Sequence, residues 1–223
     1  MSKKEKTTPV NEIDQTIAAG TSFVERNLKT LTIAIAAIVT IVIICLLTNQ
    51  YYIQPKNDKA ADNIAVAEQL FLDGDYEQAL NGDGTNAGFL QIIDEFGSTP
   101  SGNLARLYAG LCYAQTGKAE EAVKYLEDFD QCDDQMVSNA AIAALGNCYA
   151  QLGQNEKAAS TLLKAAKSAD NNTLSPLFYL QAGQLFEAVG NNAKALECYE
   201  TIKNNYPQSM QRQDIDKYIE RLK

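Results

Sequence analysis

The side chains in this sequence that could do chemistry are few, and histidine is not among them. Its absence removes the usual general acid or base at neutral pH, His-based zinc sites, and Ser-His or Cys-His nucleophile pairs. The cysteines are Cys45, Cys112, Cys132, Cys148 and Cys198. No two of them form a Cys-x-x-Cys pair, and without histidine a metal site would need all four of the later thiols together. Asn81, Asp83 and Asn86 surround two glycines as in a calcium loop, but the twelfth position counted from Asn81 is Ile92, where a carboxylate is required, so a turn is expected. Asp128, Asp130, Asp133 and Asp134 could be read as paired catalytic carboxylates; with no nucleophile or oxyanion site nearby, a solvated loop is expected. Asn171-Asn172-Thr173 fits a glycosylation sequon or a plain connection. No enzymatic activity, metal or cofactor is therefore expected.

The elements that carry these residues are spelled by a repeat. The chain has 223 residues, 46% hydrophobic and 21% charged, which suits a folded protein, and its formal charge of −9 gives no footprint for nucleic acid. Gly110, Gly146 and Gly183 are each followed seven residues later by Gly117, Gly153 and Gly190, and five after those by Ala122, Ala158 and Ala195. Tyr113, Tyr149 and Phe186 stand three residues past the first glycine, and Leu126, Leu162 and Tyr199 four past the alanine. Unit periods of 36 and 37 with identical internal spacing predict helix pairs joined by slightly elongated connections. The first glycine permits a close helix crossing, and the second ends helix A in a left-handed cap. Ser175-Pro176 predicts an N-cap followed by proline at the first helical position.

This pattern resembles the tetratricopeptide repeat (TPR), most fully in Gly183, Phe186, Gly190, Ala195, Tyr199 and Pro207. The large residue early in helix A is Tyr179 in that unit but Arg106 and Ile142 in the two before it. Ala67, Leu70, Gly74 and Ala79 keep the offsets of a degenerate earlier unit, whose second helix is interrupted at Asn81-Gly82-Asp83-Gly84 and resumes over 87–96. Residues 208–223 place Ile215, Tyr218, Ile219 and Leu222 on one side of a helix suited to cap the array. Cys112 and Cys148 occupy equivalent sites of consecutive units, about 8–10 Å apart and too far for a disulfide. They are expected to be small buried apolar residues.

Ahead of the repeats, residues 30–48 carry no charge and, with Asn49, are long enough to span a bilayer. The run exceeds the apolar region of a cleavable signal peptide and lacks a small-x-small cleavage site, so a retained signal anchor is expected, with Tyr51 and Tyr52 at its interface. Ala36 and Thr40 form a small-xxx-small pair, read as lipid-facing filler. Arg26 and Lys29 before the span balance Lys56 and Lys59 after it; Lys3, Lys4 and Lys6 tip the positive-inside rule toward a cytoplasmic amino terminus.

The all-α architecture expected is thus a cytoplasmic tail (1–29), a transmembrane helix (30–50), a stalk (51–59), a degenerate unit with an insertion (60–100), three TPR units (101–207) forming an α-solenoid, and a capping helix (208–223). The TPR resemblance implies a concave groove lined by helix A: Leu104, Leu107, Leu111 and Ala114 in the first full unit, Ala140, Ala143, Asn147 and Ala150 in the second, Leu177, Leu180, Gln184 and Glu187 in the third. None is basic, which disfavours the carboxylate-clamp subclass and suits apolar segments of partner proteins. Leu107→Asp and Leu180→Asp are expected to weaken capture without unfolding the domain. The layout also resembles the YfgM-type ancillary subunit of the bacterial SecYEG translocon, through the tail, Phe23-Val24-Glu25-Arg26-Asn27-Leu28-Lys29 and one span, and anchored TPR proteins common in Bacteroidetes, through the insertion. These resemblances imply an inner-membrane protein with its repeats in the periplasm, binding a translocon, a periplasmic chaperone or secreted clients; the alternative is a scaffold of an envelope assembly or secretion complex.

Overall fold

A computed structural model describes residues 9–223, with side chains from residue 27 onward. Lys3, Lys4 and Lys6, and the side chains of residues 23–26, lie outside the described residues. The chain divides into two units, 1–55 and 56–223. In the first, α1 (Pro9–Thr48) runs into a π-helical turn (Asn49–Ile53). From Leu28 to Leu47 its large apolar side chains are exposed, Ile33 at 70%, except for the half-buried Leu31, and among the described residues this is the one helix long and apolar enough to cross a membrane. Thr32, Thr40 and Thr48 donate their hydroxyls back to the carbonyls of Lys29, Ala36 and Ile44. Each of these hydroxyls is satisfied within the helix. The expected stalk is itself helical: residues 51–53 finish the π turn and residues 54–59 open α2 (Gln54–Asp73).

The second unit is built of antiparallel helix pairs. After α2 come α3 (Tyr76–Asn81) and α4 (Phe89–Phe96), the two halves of the interrupted helix. The break between them is a turn in which Asp83 Oδ1 accepts from the backbone N–H groups of Thr85 and Asn86. Then follow α5 (Pro100–Gln115) with α6 (Ala119–Glu127), α7 (Gln135–Gln151) with α8 (Asn155–Ala169), and α9 (Leu174–Ala188) with α10 (Asn192–Asn205). Within each pair the turn holds its glycine at positive φ: Gly117 at 75°, Gly153 at 73° and Gly190 at 76°. Glycine reaches that region without the steric penalty a Cβ would bring.

The three crossings share one geometry. A Cβ added at Gly110 would meet Leu126 Cγ at 2.6 Å, at Gly146 Leu162 Cγ at 2.8 Å, and at Gly183 Tyr199 Cε1 at 2.5 Å. The large residue of helix B therefore sits directly on the missing side chain of helix A. Ala122, Ala158 and Ala195 are fully buried at the same crossings, as is Phe186, and Tyr149 is nearly so.

Three expectations are corrected. The extra length between units is a seven-residue connection, 128–134, only after α6; after α8 it lies in the helix itself, 15 residues against nine, because Ala165, Ala166 and Ala169 bury their methyl groups and extend it. Ser175 is not an N-cap: α9 begins at Leu174, Asn171 Oδ1 accepts from the N–H groups of Thr173 and Leu174, and Pro176 occupies the third position of the first turn. The carboxyl-terminal helix starts late, as a 3-10 turn (Met210–Gln213) followed by α11 (Ile215–Arg221), with Ile215 and Ile219 buried against the last pair.

Candidate functional site

Helix A of each full pair, α5, α7 or α9, carries the residues assigned to the groove. Leu107 is 6% exposed and Ala143 4%, so both belong to the core. Leu104 and Leu111 are half-buried around Leu107, Leu126 and Phe129, while Leu180 packs with Ala143 into the cluster that includes Phe178 and Tyr199. Ala114 and Ala150 are half-buried; Ala140, Asn147 and Gln184 are exposed, and Leu177 is 37% exposed. Leu107 thus ties the half-buried leucines of α5 to the interior, and a charge at that position would be forced into the core.

The last turn of the chain reaches the third unit's share of these positions. Gln184 Nε2 donates to Tyr218 Oη at 3.3 Å, and Glu187 Oε2 accepts from Tyr199 Oη at 3.0 Å and from Arg221 Nη2 at 2.8 Å. The Arg221 guanidinium, with the Tyr199 hydroxyl, holds the Glu187 carboxyl below its ordinary range, while burial pushes the Tyr199 phenol up. The amphipathic pattern of 208–223 points to a cap, but it gives no sign that Arg221 reaches back to Glu187. A second cluster joins neighbouring pairs: Tyr149 Oη donates to Glu127, and Lys157 Nζ lies 3.3 Å from the same carboxylate and 3.9 Å from the Tyr149 ring centroid. The Tyr149 hydroxyl, and after it Lys157, lowers the Glu127 carboxyl.

The chemically suggestive residues resolve into structure. Cys112, Cys148 and Cys198 are buried free thiols; burial pushes Cys112 and Cys198 up to about 12. Such groups are poor nucleophiles at neutral pH. Cys132 is exposed, its Sγ 3.5 Å from Ser138 Oγ. In the acidic loop Asp134 caps α7 by accepting from Met136 and Val137 N–H, and the backbone of Asp130 is held at both ends by Asn103: Asn103 Nδ2 donates to the Asp130 carbonyl and the Asp130 N–H donates to Asn103 Oδ1. Asn171 of the sequon spends its side chain on the turn before α9, donating to Ala169 O and accepting two N–H bonds. Among the described residues no group of three or more His, Cys, Asp or Glu side chains is placed to hold a metal ion.

One residue escaped the sequence reading. Asn139 stands 36 positions after Asn103, at the same place in the next pair, but it is 2% exposed and its Oδ1 has no hydrogen-bond partner. Its counterpart's partner is a loop; residue 166, at the equivalent place, is inside α8, where its backbone is already committed to the helix.

Comparison with known proteins agrees with this construction. No curated protein sequence matches the chain. Among solved structures, the nearly identical TPR-like repeats of a Podosopora anserina kinesin light chain superpose with a TM-score of 0.53 at 15% identity, over 74% of this chain and 84% of that one. The structure of MamA superposes with a TM-score of 0.50 at 18% identity, over 70% and 92%. Both likenesses are of fold. The sequence profile of the tetratricopeptide repeat-like domain matches residues 22–222, nearly the whole of the described chain, and the protein belongs to that family.

Proposed function

We propose that this TPR protein is a single-pass, membrane-anchored interaction module of the inner membrane, with a cytoplasmic amino terminus and its repeats in the periplasm. There the helix A face would take apolar segments of partner or client proteins during translocation or folding. A TPR-like fold is an interaction module, which supports the coarse reading. The observation that carries the anchor is that the family match opens at residue 22, ahead of an apolar helical run whose large side chains from Ile33 to Leu47 are exposed, so that run and the repeats are matched together. The orientation rests on Lys3, Lys4 and Lys6.

The proposal is tested in membranes. The full-length chain should resist alkaline carbonate extraction, and protease added to spheroplasts should digest it beyond about residue 52, leaving a protected fragment that contains the span. Carbonate release, a mature chain beginning after residue 50, or protected repeats would overturn the anchor, its retention or its orientation respectively. A photocrosslinker at Asn147 or Leu177 should capture several unrelated secreted chains together with the translocon; capture of one envelope protein at fixed stoichiometry would favour the scaffold instead. Leu177→Asp and Ala140→Asp are the appropriate groove variants, because these side chains are already in solvent. Each should reduce crosslinking several-fold with an unchanged melt, since about 1–2 kcal/mol of apolar contact is lost per position.

A further inference from the structure

The charge of the repeat domain is divided along the chain. Residues 56–135 carry sixteen Asp and Glu against five Lys and Arg, a net −11, while residues 136–223 carry eight against nine. Among the described residues, the ion pairs Lys157–Glu127, Lys203–Asp216, Arg212–Asp216, Lys217–Asp214 and Arg221–Glu187 all take their cations from the second stretch. Every Asp and Glu of the first stretch except Glu68 is exposed. Self-repulsion of this size destabilises a compact state, and it makes the local surface repel anions and attract cations.

Some of these charges lie beside helix A. Phe129 is buried in the cluster that holds the core residue Leu107 and against which the half-buried Leu104 and Leu111 pack, so Asp128 and Asp130 flank a residue of the cluster that supports those two leucines. Asn103, adjacent to Leu104, fixes the backbone of Asp130 at both its N–H and its carbonyl. Asp128, Asp130 and Asp133 are exposed. The partly exposed Leu104 and Leu111 thus share a packing cluster with an anchored acidic loop. At the degenerate unit, the position in register with Leu111 and Asn147 is Glu68, whose carboxylate acts on the Tyr108 hydroxyl of α5.

We propose that this part of the groove selects apolar polypeptide segments flanked by lysine or arginine: the exposed edges of Leu104 and Leu111 meet the apolar run, and the rim carboxylates of Asp128, Asp130 and Asp133 receive the flanking cations. The inference rests on the reading of helix A as the binding face and adds the charge of the partner. An acidic or uncharged apolar segment of the same shape is discriminated against by the same field, since complementarity of charge sets partner choice more than affinity.

The test uses the full-length chain in an uncharged detergent and three fluorescein-labelled synthetic peptides with one Leu/Ala core, flanked by Lys, Gln or Glu. By anisotropy at low salt, the Lys peptide should bind about ten-fold tighter than the Gln peptide and the Glu peptide weakest, with the advantage falling to within about two-fold at roughly 0.5 M NaCl as the charges are screened. The combined variant Asp128→Asn, Asp130→Asn, Asp133→Asn should lose most of the Lys advantage, about five-fold, and bind the Gln peptide as the parent does. Asp134 is left in place because it caps α7. Glu197→Gln with Glu200→Gln, at exposed positions of α10, is the control and should change nothing. Equal binding of the Lys and Gln peptides by the parent overturns charge selection while the groove reading stands. An unaffected Lys advantage in the triple variant, or an equal loss in the α10 control, overturns the assignment to this rim. If none of the three peptides binds, the groove reading itself falls.

Discussion

Asn103 and Asn139 are the same residue at the same register with opposite accounts. Asn103 makes two hydrogen bonds to the Asp130 backbone; the Asn139 carbonyl oxygen is buried with none. Replacing a bonded group forfeits about 1 kcal/mol, whereas removing a buried orphan recovers its desolvation penalty of about 1–3 kcal/mol. Asn103→Leu should therefore lower the melting temperature and Asn139→Leu raise it, as read by circular dichroism; two shifts of the same sign would sink the account. The thiols separate in the same way. Cys132 should react with an alkylating reagent at about pH 8 while Cys112, Cys148 and Cys198 react only on unfolding, because burial shields all three and pushes Cys112 and Cys198 up to about 12. A mapped Cys112–Cys148 disulfide would contradict the repeat register. Gly146→Leu should overpack the crossing with Leu162 and cost about 1–3 kcal/mol or more, lowering stability together with every binding activity.

At the level of elements, the pair register was legible because two different physical needs, close crossing and a left-handed turn, can each be met only by glycine at a fixed spacing. The ends of helices were less legible. Pro176 announces a helix start, but the first four N–H groups of a helix have no internal partner, so proline is also tolerated at the third position, and the boundary slips. The length of α8 was hidden for a related reason: a run of Lys, Ala and Ser continues a helix on propensity alone, and only burial of Ala165, Ala166 and Ala169 decides that it does. Of the site, the apolar character of helix A was readable, whereas the burial of Leu107 and Ala143 depends on what packs over them. The docking of α11 was half legible, since its apolar face shows in sequence but the Arg221–Glu187 contact joins residues 34 apart. Because the folded Glu187 carboxyl lies below its unfolded value, this contact adds stability above the ordinary carboxylate range and loses it as pH falls through the depressed value. Arg221→Ala should thus lower the melting temperature at neutral pH and make no difference once the carboxyl is protonated. A deficit that persists in acid would show that Arg221 acts through packing.

For the molecule as a whole, stacked pairs touch mainly their neighbours, so stability is close to a sum of unit and interface terms. The core clusters follow that rule in part: one spans α7 to α11, another α2 to α5, and a third lies between α5 and α7. The first stretch also carries nearly all the net negative charge, so its terms should be the smaller at low ionic strength. Hydrogen exchange is expected to show protection in α8 and α10 exceeding that in α3 and α4, with the gap narrowing as salt is raised. Uniform protection, or a gap indifferent to salt, would count against a charge-weakened amino-terminal half.

The two sets of glycines also differ in what they would accept. At Gly117, Gly153 and Gly190 an added Cβ meets nothing within 4 Å, so the obstacle to alanine is the chirality of its α-carbon; at Gly110, Gly146 and Gly183 the obstacle is the neighbour already in the space. A mirror-image residue tells these apart. D-alanine introduced by chemical ligation suits the backbone of the first set, where it should stiffen the turns by about 0.4–1 kcal/mol each by restricting the unfolded chain, and has no place in the second. One amino acid thus does two unrelated jobs in this solenoid, one stereochemical and one volumetric.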